Sequence, residues 1–233
     1  MPKYAPAWPH GDIIEAFEGI YVVRGTNITH FDNTKIQHSR NMTIIESNGD
    51  LTLINTVRLN EIGLQALDNL GTVRHVLSIG AFHGRDDLFY VNRYHAKLWS
   101  VPTEEKHHDV RYLQDQDELP IKNCHFFMFK SSSPSEGFIY IEDHGGIIIT
   151  CDSIKNWIEI DEFFSEDTAQ MALSHGEIAK ARISPIWLNA TGVHKADFDS
   201  LLQLRFKHLI SAHGNVLRDT AYSDVKHSVQ QIS

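Results

Sequence analysis

The run Ile147-Ile-Ile-Thr-Cys151 restricts the fold most, because it is almost wholly apolar and does not alternate. A strand with one face in water alternates apolar and polar residues, so a strand without alternation is covered on both faces and sits centrally. The chain must therefore place apolar layers on both sides of a sheet. Its 233 residues, 42% hydrophobic and 22% charged, are enough for one large core.

Around this strand the other elements fall into place. Gly19-Ile-Tyr-Val-Val-Arg24 and Met42-Thr-Ile-Ile-Glu46 are β-branched runs, and Asn48-Gly49-Asp50 predicts a tight hairpin turn into Leu51-Thr-Leu-Ile-Asn55. Apolar residues at Leu59, Ile62, Leu64, Leu67 and Leu70 predict a helix that Gly71 ends, followed by a strand over Val73 to Ile79. A short helix is expected over Phe89 to Tyr94 and a strand over Lys97 to Val101. The polar segment from Pro102 to Pro120 reads as a solvated connection. Strands are then expected at Cys124 to Phe129, Gly137 to Ile141, Ile147 to Cys151 and Phe206 to Ser211. Helices are expected near Ala169 to Arg182, from Lys195 through Leu204, and at the C-terminus. Residues 1–18 read as an irregular arm and not a signal peptide, and 19–233 as one domain.

A formal charge of −9 with 21 scattered Lys and Arg argues against a nucleic-acid partner. No stretch suits a membrane span. Cys124 and Cys151 each sit inside an apolar run, which predicts reduced, packed thiols and a cytoplasmic setting.

Ligands in layered α/β folds gather where strands end, and three apolar runs end in groups able to hold a metal. Val73 to Ile79 leads to His83-Gly-Arg85-Asp86-Asp87, Ile147 to Cys151 leads to Asp152-Ser153, and Phe206 to Ser211 leads to Ala212-His213-Gly214. Neutral imidazoles with carboxylates suit zinc, or else manganese or iron, and such an ion supplies hydroxide near neutral pH.

These residues and the order of elements resemble the metallo-β-lactamase superfamily from about Gly19 to Ala221. The pieces that carry the likeness are Asn48-Gly-Asp-Leu-Thr-Leu-Ile-Asn55-Thr56, Gly71 to Ile79, Gly146 to Ser153 and Leu209-Ile-Ser-Ala-His213-Gly214. The resemblance implies a four-layer αββα sandwich, with Asp152 as a metal-bridging carboxylate and His213 closing the site. The family signature His-x-His-x-Asp-His reads here as His83-Gly-Arg85-Asp86-Asp87-Leu88. Register puts Asp87 on the family's Asp, while Arg85 and Leu88 take the places of two His, and Arg has no lone pair for a metal. The middle His is missing from Lys130 to Gly137, where Glu136 is the one strong ligand and reads as a turn residue. Asn55 stands where the family has an acidic residue.

Fifteen His cannot all be functional, so His38, His95, His107, His108 and His227 receive no role. His175 reads as part of a capping box with Ser174 as N-cap and Glu177 completing it. Phe163, Phe164, Trp157 and Trp187 read as core or lid packing.

Two functions follow. In the first, a hydrolase holds one ion with His83, Asp87, Asp152 and His213. Asp86 is its general base, Arg85 orients an anionic group, and the small-molecule substrate is an ester, lactone, thioester or phosphoester. In the second, a binding or regulatory protein without a working metal site holds a small anion through Arg85 and His213. An oxygen-handling iron protein on this fold is set aside, since no flavin-type phosphate loop accompanies it. The sandwich also leaves faces of the kind that pair into homodimers.

Overall fold

The structure, a computed structural model, describes residues 4–31, 33–103 and 109–232. Residues 1–3 of the expected arm, and residues 104–108 of the expected connection with His107 and His108, lie outside the described residues.

The Asn48-Gly49 turn joins β3 (Thr34–Ser47) to β4 (Asp50–Ile54) with Ser47 opposite Asp50, as the hairpin signal predicts. Ahead of this pair come β1 (Ile14–Phe17) and β2 (Ile20–Phe31), both antiparallel to their neighbours. After it, α1 (Glu61–Leu70) and α2 (Asp87–Tyr94) carry the chain to β5 (Thr72–Ser78), β6 (Lys97–Ser100) and β7 (Val110–Tyr112), which run parallel. Among the described residues, β1 to β7 make one sheet in chain order. A second, four-stranded sheet has the order β11-β10-β9-β8, with β8 (Cys124–Met128), β9 (Gly137–Ile141), β10 (Ile147–Thr150) and β11 (His208–Ser211). Its cover is α4 (Pro185–Thr191), α5 (Asp199–Leu202) and α6 (Ala221–Gln230), while α3 (Glu166–Ser174) lies against β3.

Side chains on a strand point alternately to its two faces, and here the alternation sorts them into layers. Ile45, Ile54, Leu77, Ile149 and Ile210 meet between the two sheets. Their chain neighbours Ile44, Leu53 and Val76 pack outward with Leu64 and Leu67 of α1 and Tyr90 of α2. On the far side, Ile148 and Leu209 pack with Trp187 of α4, Leu201 of α5 and Val225 of α6. The order is helix, sheet, sheet, helix, and the unalternating β10 is buried along its length. Each fully buried side chain of this size contributes roughly 1.5–3 kcal/mol of transfer free energy.

The structure departs from expectation where local sequence competes with packing. The arm is structured from Ile14: β1 pairs with β2, and His10 Nε2 accepts the Asn60 N–H at 2.9 Å. The 102–120 connection contains the edge strand β7, and Leu113 and Leu119 dip into the central core. Ile62 is 78% exposed, because it lies about 200° around the helix from the buried Leu64. The predicted 169–182 helix starts earlier, with Ser165 as N-cap, and ends at Ser174 with His175 as C-cap. That replaces the capping box expected at Ser174 and Glu177. Helix α4, capped by Ser184 with Pro185 opening it, was not expected. The 195–204 helix is a 3-10 turn over Lys195–Phe198 followed by the short α5. Both cysteines are free and buried, and burial pushes both thiols up. Among the described residues no helix is long and apolar enough to cross a membrane.

Candidate metal centre at the strand ends

The loops after β5, β10 and β11 bring His83, Asp152 and His213 together. His213 Nε2 lies 3.0 Å from Asp152 Oδ1, His83 Nε2 lies 3.4 Å from Asp152 Oδ2, and the two Nε2 atoms are 3.2 Å apart. Ligand atoms bound tetrahedrally at about 2.0–2.1 Å from a zinc ion stand roughly 3.4 Å from one another. Two imidazoles and a carboxylate at these separations therefore fit a single cation.

The surroundings fix each donor. His213 is 2% exposed, and its Nδ1–H donates to Ser39 O at 3.0 Å, leaving the Nε2 lone pair facing Asp152 and His83. The turn that carries it is sewn to β3, where Asn41 Nδ2 donates to Ser211 O and Gly214 O at 2.9 and 2.7 Å. Burial lowers the His83 pKa to about 4, against the opposing pull of Asp152, so this ring is neutral at ordinary pH. Burial works against the charge on Asp152, but the facing His83 and His213 rings, His83 first, outweigh it and hold the carboxyl well below its usual range. Cys151 Sγ also lies in a group with His83 and Asp152 whose ligand atoms are all within 4.8 Å. His213 is the better third donor. Cys151 is fully buried between the sheets, its thiol is held protonated, and its sulfur is 3.9 Å from the Asp152 carboxylate.

Asp87 and Asp86 stand away from the donors, whereas Arg85 reaches the cavity rim. Asp87 turns its Oδ1 to the Thr56 hydroxyl at 2.5 Å, so it braces the loop from behind instead of joining the donors. Burial raises its pKa against that hydrogen bond. Asp86 is 6% exposed and its Oδ2 accepts the Arg58 backbone N–H at 3.1 Å, which removes it as a general base in the cavity. Arg85 is exposed and donates to Ile28 O at 3.2 Å, at the rim of the cavity.

Glu136, expected as a solvated turn residue, is 1% exposed. It accepts the Ser153 N–H at 2.6 Å and the Trp187 indole N–H at 3.0 Å, tying the Asp152 loop to α4. Burial, helped by the Asp152 charge, raises its pKa to about 8. Its unfolded value is near the ordinary 4.5, so the folded state holds this proton more tightly. The resulting stability is complete below the unfolded value and is lost as pH rises through about 8. In the metal-free protein the urea midpoint is expected to fall between pH 6 and pH 9, and Glu136→Gln to remove most of that fall. An equal fall in both proteins would show that Glu136 is already ionised.

Sequence reasoning placed a strand at Met42 to Glu46 but missed the extension of β3 back to Thr34. Its His38 and Arg40 face the cavity, and His38 packs edge-on to His213 with ring centres 4.9 Å apart. Burial first, then the His213 and Lys155 charges, holds the His38 pKa well below its usual value. Arg40 is buried and donates to Asn27 Oδ1 and Thr56 O at 3.0 Å each, with Nη2 also 3.4 Å from His83 Nδ1. The available signal was polar residues at 38 and 40 on one face of a strand.

Above the three donors is a cavity of about 480 Å³. Trp157, Phe164, Met171 and Phe82 form apolar walls, and Lys155, Arg85 and Arg40 supply positive charge. Trp157 thus both packs and lines: its indole donates to Ser39 Oγ at 2.8 Å and its ring lies against His213. Lys155 Nζ faces Glu177 Oε2 at 3.7 Å.

No family model matches the chain, and no curated protein sequence matches it. Solved structures do match. A variant flavo di-iron protein from Thermotoga maritima superposes with a TM-score of 0.62 at 17% identity, covering 97% of this chain and 62% of that one. The chain thus spans about three fifths of that protein. A metallo-β-lactamase from Erythrobacter litoralis gives a TM-score of 0.58 at 11% identity, covering 94% of this chain and 92% of that one. The mono-zinc form of a metallo-β-lactamase from Pseudomonas aeruginosa gives 0.58 at 12% identity, with 99% and 97% covered. With its two facing sheets and outer helices, the chain has the metallo-β-lactamase fold.

Proposed function

We propose that this protein is a metal-dependent hydrolase that holds one divalent ion, zinc or else manganese or iron, with His83, Asp152 and His213. The observation that carries the reading is the approach of these three donors, from three different loops, to 3.0–3.4 Å of one another. With an ion held there by these residues, the site would be supplied with a water acidified to a pKa of about 7 and with Lewis-acid polarisation of the bond to be cleaved. Among the similar structures, one is the mono-zinc form of a metallo-β-lactamase and one is a flavo di-iron protein, which supports a metal at this place.

The chain's own groups supply the rest. Ser39 holds His213 in the tautomer that presents Nε2. The cavity's 480 Å³ suits a small molecule, and its aromatic walls offer apolar surface to the body of such a molecule. Lys155 and Arg85 provide charge for an anionic group on the substrate, an ester, lactone, thioester or phosphoester. The free thiols suit a reducing, cytoplasmic setting.

Arg40 favours a second reading, a binding protein without a metal. An imidazole has one proton for two nitrogens, so a His83 that accepts from Arg40 at Nδ1 carries its proton on Nε2 and donates it to Asp152. His83 is then fully paired without an ion. The hydrolase reading expects Nδ1 to carry the proton and the 3.4 Å Arg40 contact, already at the outer limit of a hydrogen bond, to open.

The test is turnover of aryl ester, lactone, thioester and phosphodiester substrates by protein loaded in turn with zinc, manganese and iron(II). Turnover of one class, lost on chelation and restored by the ion, supports the hydrolase. No turnover by protein shown to carry stoichiometric metal ends that reading.

A further inference from the structure

A second cleft, of about 790 Å³, opens between α4, the 3-10 turn after it and α6. Lys180, Arg182, His194, Lys195 and His227 line it, and no Asp or Glu is among the described residues that do. In a chain of net charge −9 this is a local reversal of sign, and a concave surface concentrates such a potential.

The individual groups differ in what they have left to offer. Lys195 Nζ already donates to Gln230 O and Ile232 O at 3.2 and 3.3 Å, so it neutralises the C-terminal end of α6. Lys180 is exposed. Arg182 is the unusual one, because its Nε is buried without a hydrogen-bond partner. That unmade N–H is costly, and the rest of this guanidinium, on a residue that lines the cleft, is the group an oxyanion there would bind. The same cleft has an apolar side made by Ile183, Leu188, Val193 and Ile232. Its volume lies within the range of small-molecule sites.

We propose that this cleft binds an amphipathic small anion, an oxyanion head on an apolar body, with Arg182 as the principal partner of the head. The site is separate from the metal centre but mechanically joined to it. Helix α4 is a shared wall, with Ile186, Trp187 and Ala190 toward the metal-site cavity and Pro185, Leu188 and Asn189 toward the cleft. Arg182 also exchanges two backbone hydrogen bonds with Lys155, at 2.8 and 2.6 Å, and Lys155 lines the other cavity.

The experiment titrates the full chain, in chelator so that the metal centre plays no part, with octyl phosphate, octanoate and octanol below their micellar concentrations. Thermal shift and calorimetry are the readouts. Saturable binding of octyl phosphate or octanoate, absent with octanol, is expected, and the tighter of the two identifies the head group. Arg182→Gln is expected to weaken it about tenfold to a hundredfold and added salt to weaken it further, while Arg85→Gln leaves it unchanged. If Arg182→Gln does not fold, Lys180→Glu at the exposed rim replaces it, with weakening expected again. No saturable binding of either anion at millimolar concentration overturns the proposal. So does binding that survives Arg182→Gln and is lost in Arg85→Gln, since the probe then occupies the other cavity.

Discussion

Asp152→Ala is expected to purify free of metal under conditions where the parent protein, loaded with zinc, retains it near stoichiometrically. Asp152 lies within reach of both imidazoles, so its loss removes the carboxylate of the proposed donor set and leaves two rings 3.2 Å apart. Removing even a group that supports a ligand costs tenfold to a hundredfold in affinity, so removing this carboxylate should exceed about a hundredfold. His213→Ala should behave likewise. Asp87→Asn is the informative contrast: with its carboxylate bonded to Thr56, it should weaken metal affinity only through the loop it braces, by about tenfold to a hundredfold. Elemental analysis with a competing chelator measures all three. Wild-type occupancy in Asp152→Ala would remove the proposed centre, and complete loss in Asp87→Asn would restore the register-based assignment of that residue as a ligand.

Gly214→Ala is expected to cost roughly 3 kcal/mol or more and to disturb the same centre. Gly214 has φ +91°, a conformation that residues with a Cβ rarely adopt, and an added Cβ would sit 2.2 Å from Asn156 O and 2.4 Å from Trp157 N. Those atoms are backbone and cannot swing away. Their neighbours are committed too, since Asn215 N donates to Asn156 O at 2.8 Å and Asn156 N donates to His213 O at 2.9 Å. Gly176, at φ +63° with nothing within 4 Å of its would-be Cβ, should cost only about 1 kcal/mol when changed to Ala. Urea midpoints decide the matter. Equal losses at both positions would mean that the turn after β11 relaxes freely and that the packing around His213 is not what holds it.

The layers were legible because period-two alternation and the unalternating β10 are direct consequences of burial, and burial is what the fold has to solve. Ile44 beside Ile45 and Ile148 beside Ile149 report opposite faces without any knowledge of partners. The site was half legible. Asp152 and His213 stand immediately after strands, where the chain leaves little choice of place, and His83 follows a strand by a short loop. Asp86 and Asp87 were not separable by sequence, since adjacent residues opening a helix point in different directions and only the tertiary partners Arg58 and Thr56 decide which way. Arg40, His38 and Glu136 were hidden for a related reason. Each belongs to a strand or loop whose significance comes from what another part of the chain lays against it, 43 residues away in the case of Arg40 and His83. The edge strand β7 was masked by the charged residues around it, because an edge can remain polar while its neighbours Leu113 and Leu119 fill the core.

The long β2–β3 ribbon separates two tasks that a single loop would confound. Near the sheet, Ser39 and Asn41 hold the His213 turn and Asn27 holds Arg40, whereas farther out Thr29, Thr34 and Ile36 line the cavity wall. Pairing such as Asn27 with His38 and Thr29 with Ile36 is regular along this reach. Shortening or lengthening the ribbon by matched residues on both strands therefore changes the height of the wall while every side chain nearer the sheet keeps its face. An unmatched insertion turns His38 and Arg40 away. The outer ribbon is thus where the cavity's height can be changed at little risk to His83, Asp152 and His213, and the β3 segment from His38 to Asn41 is where it cannot.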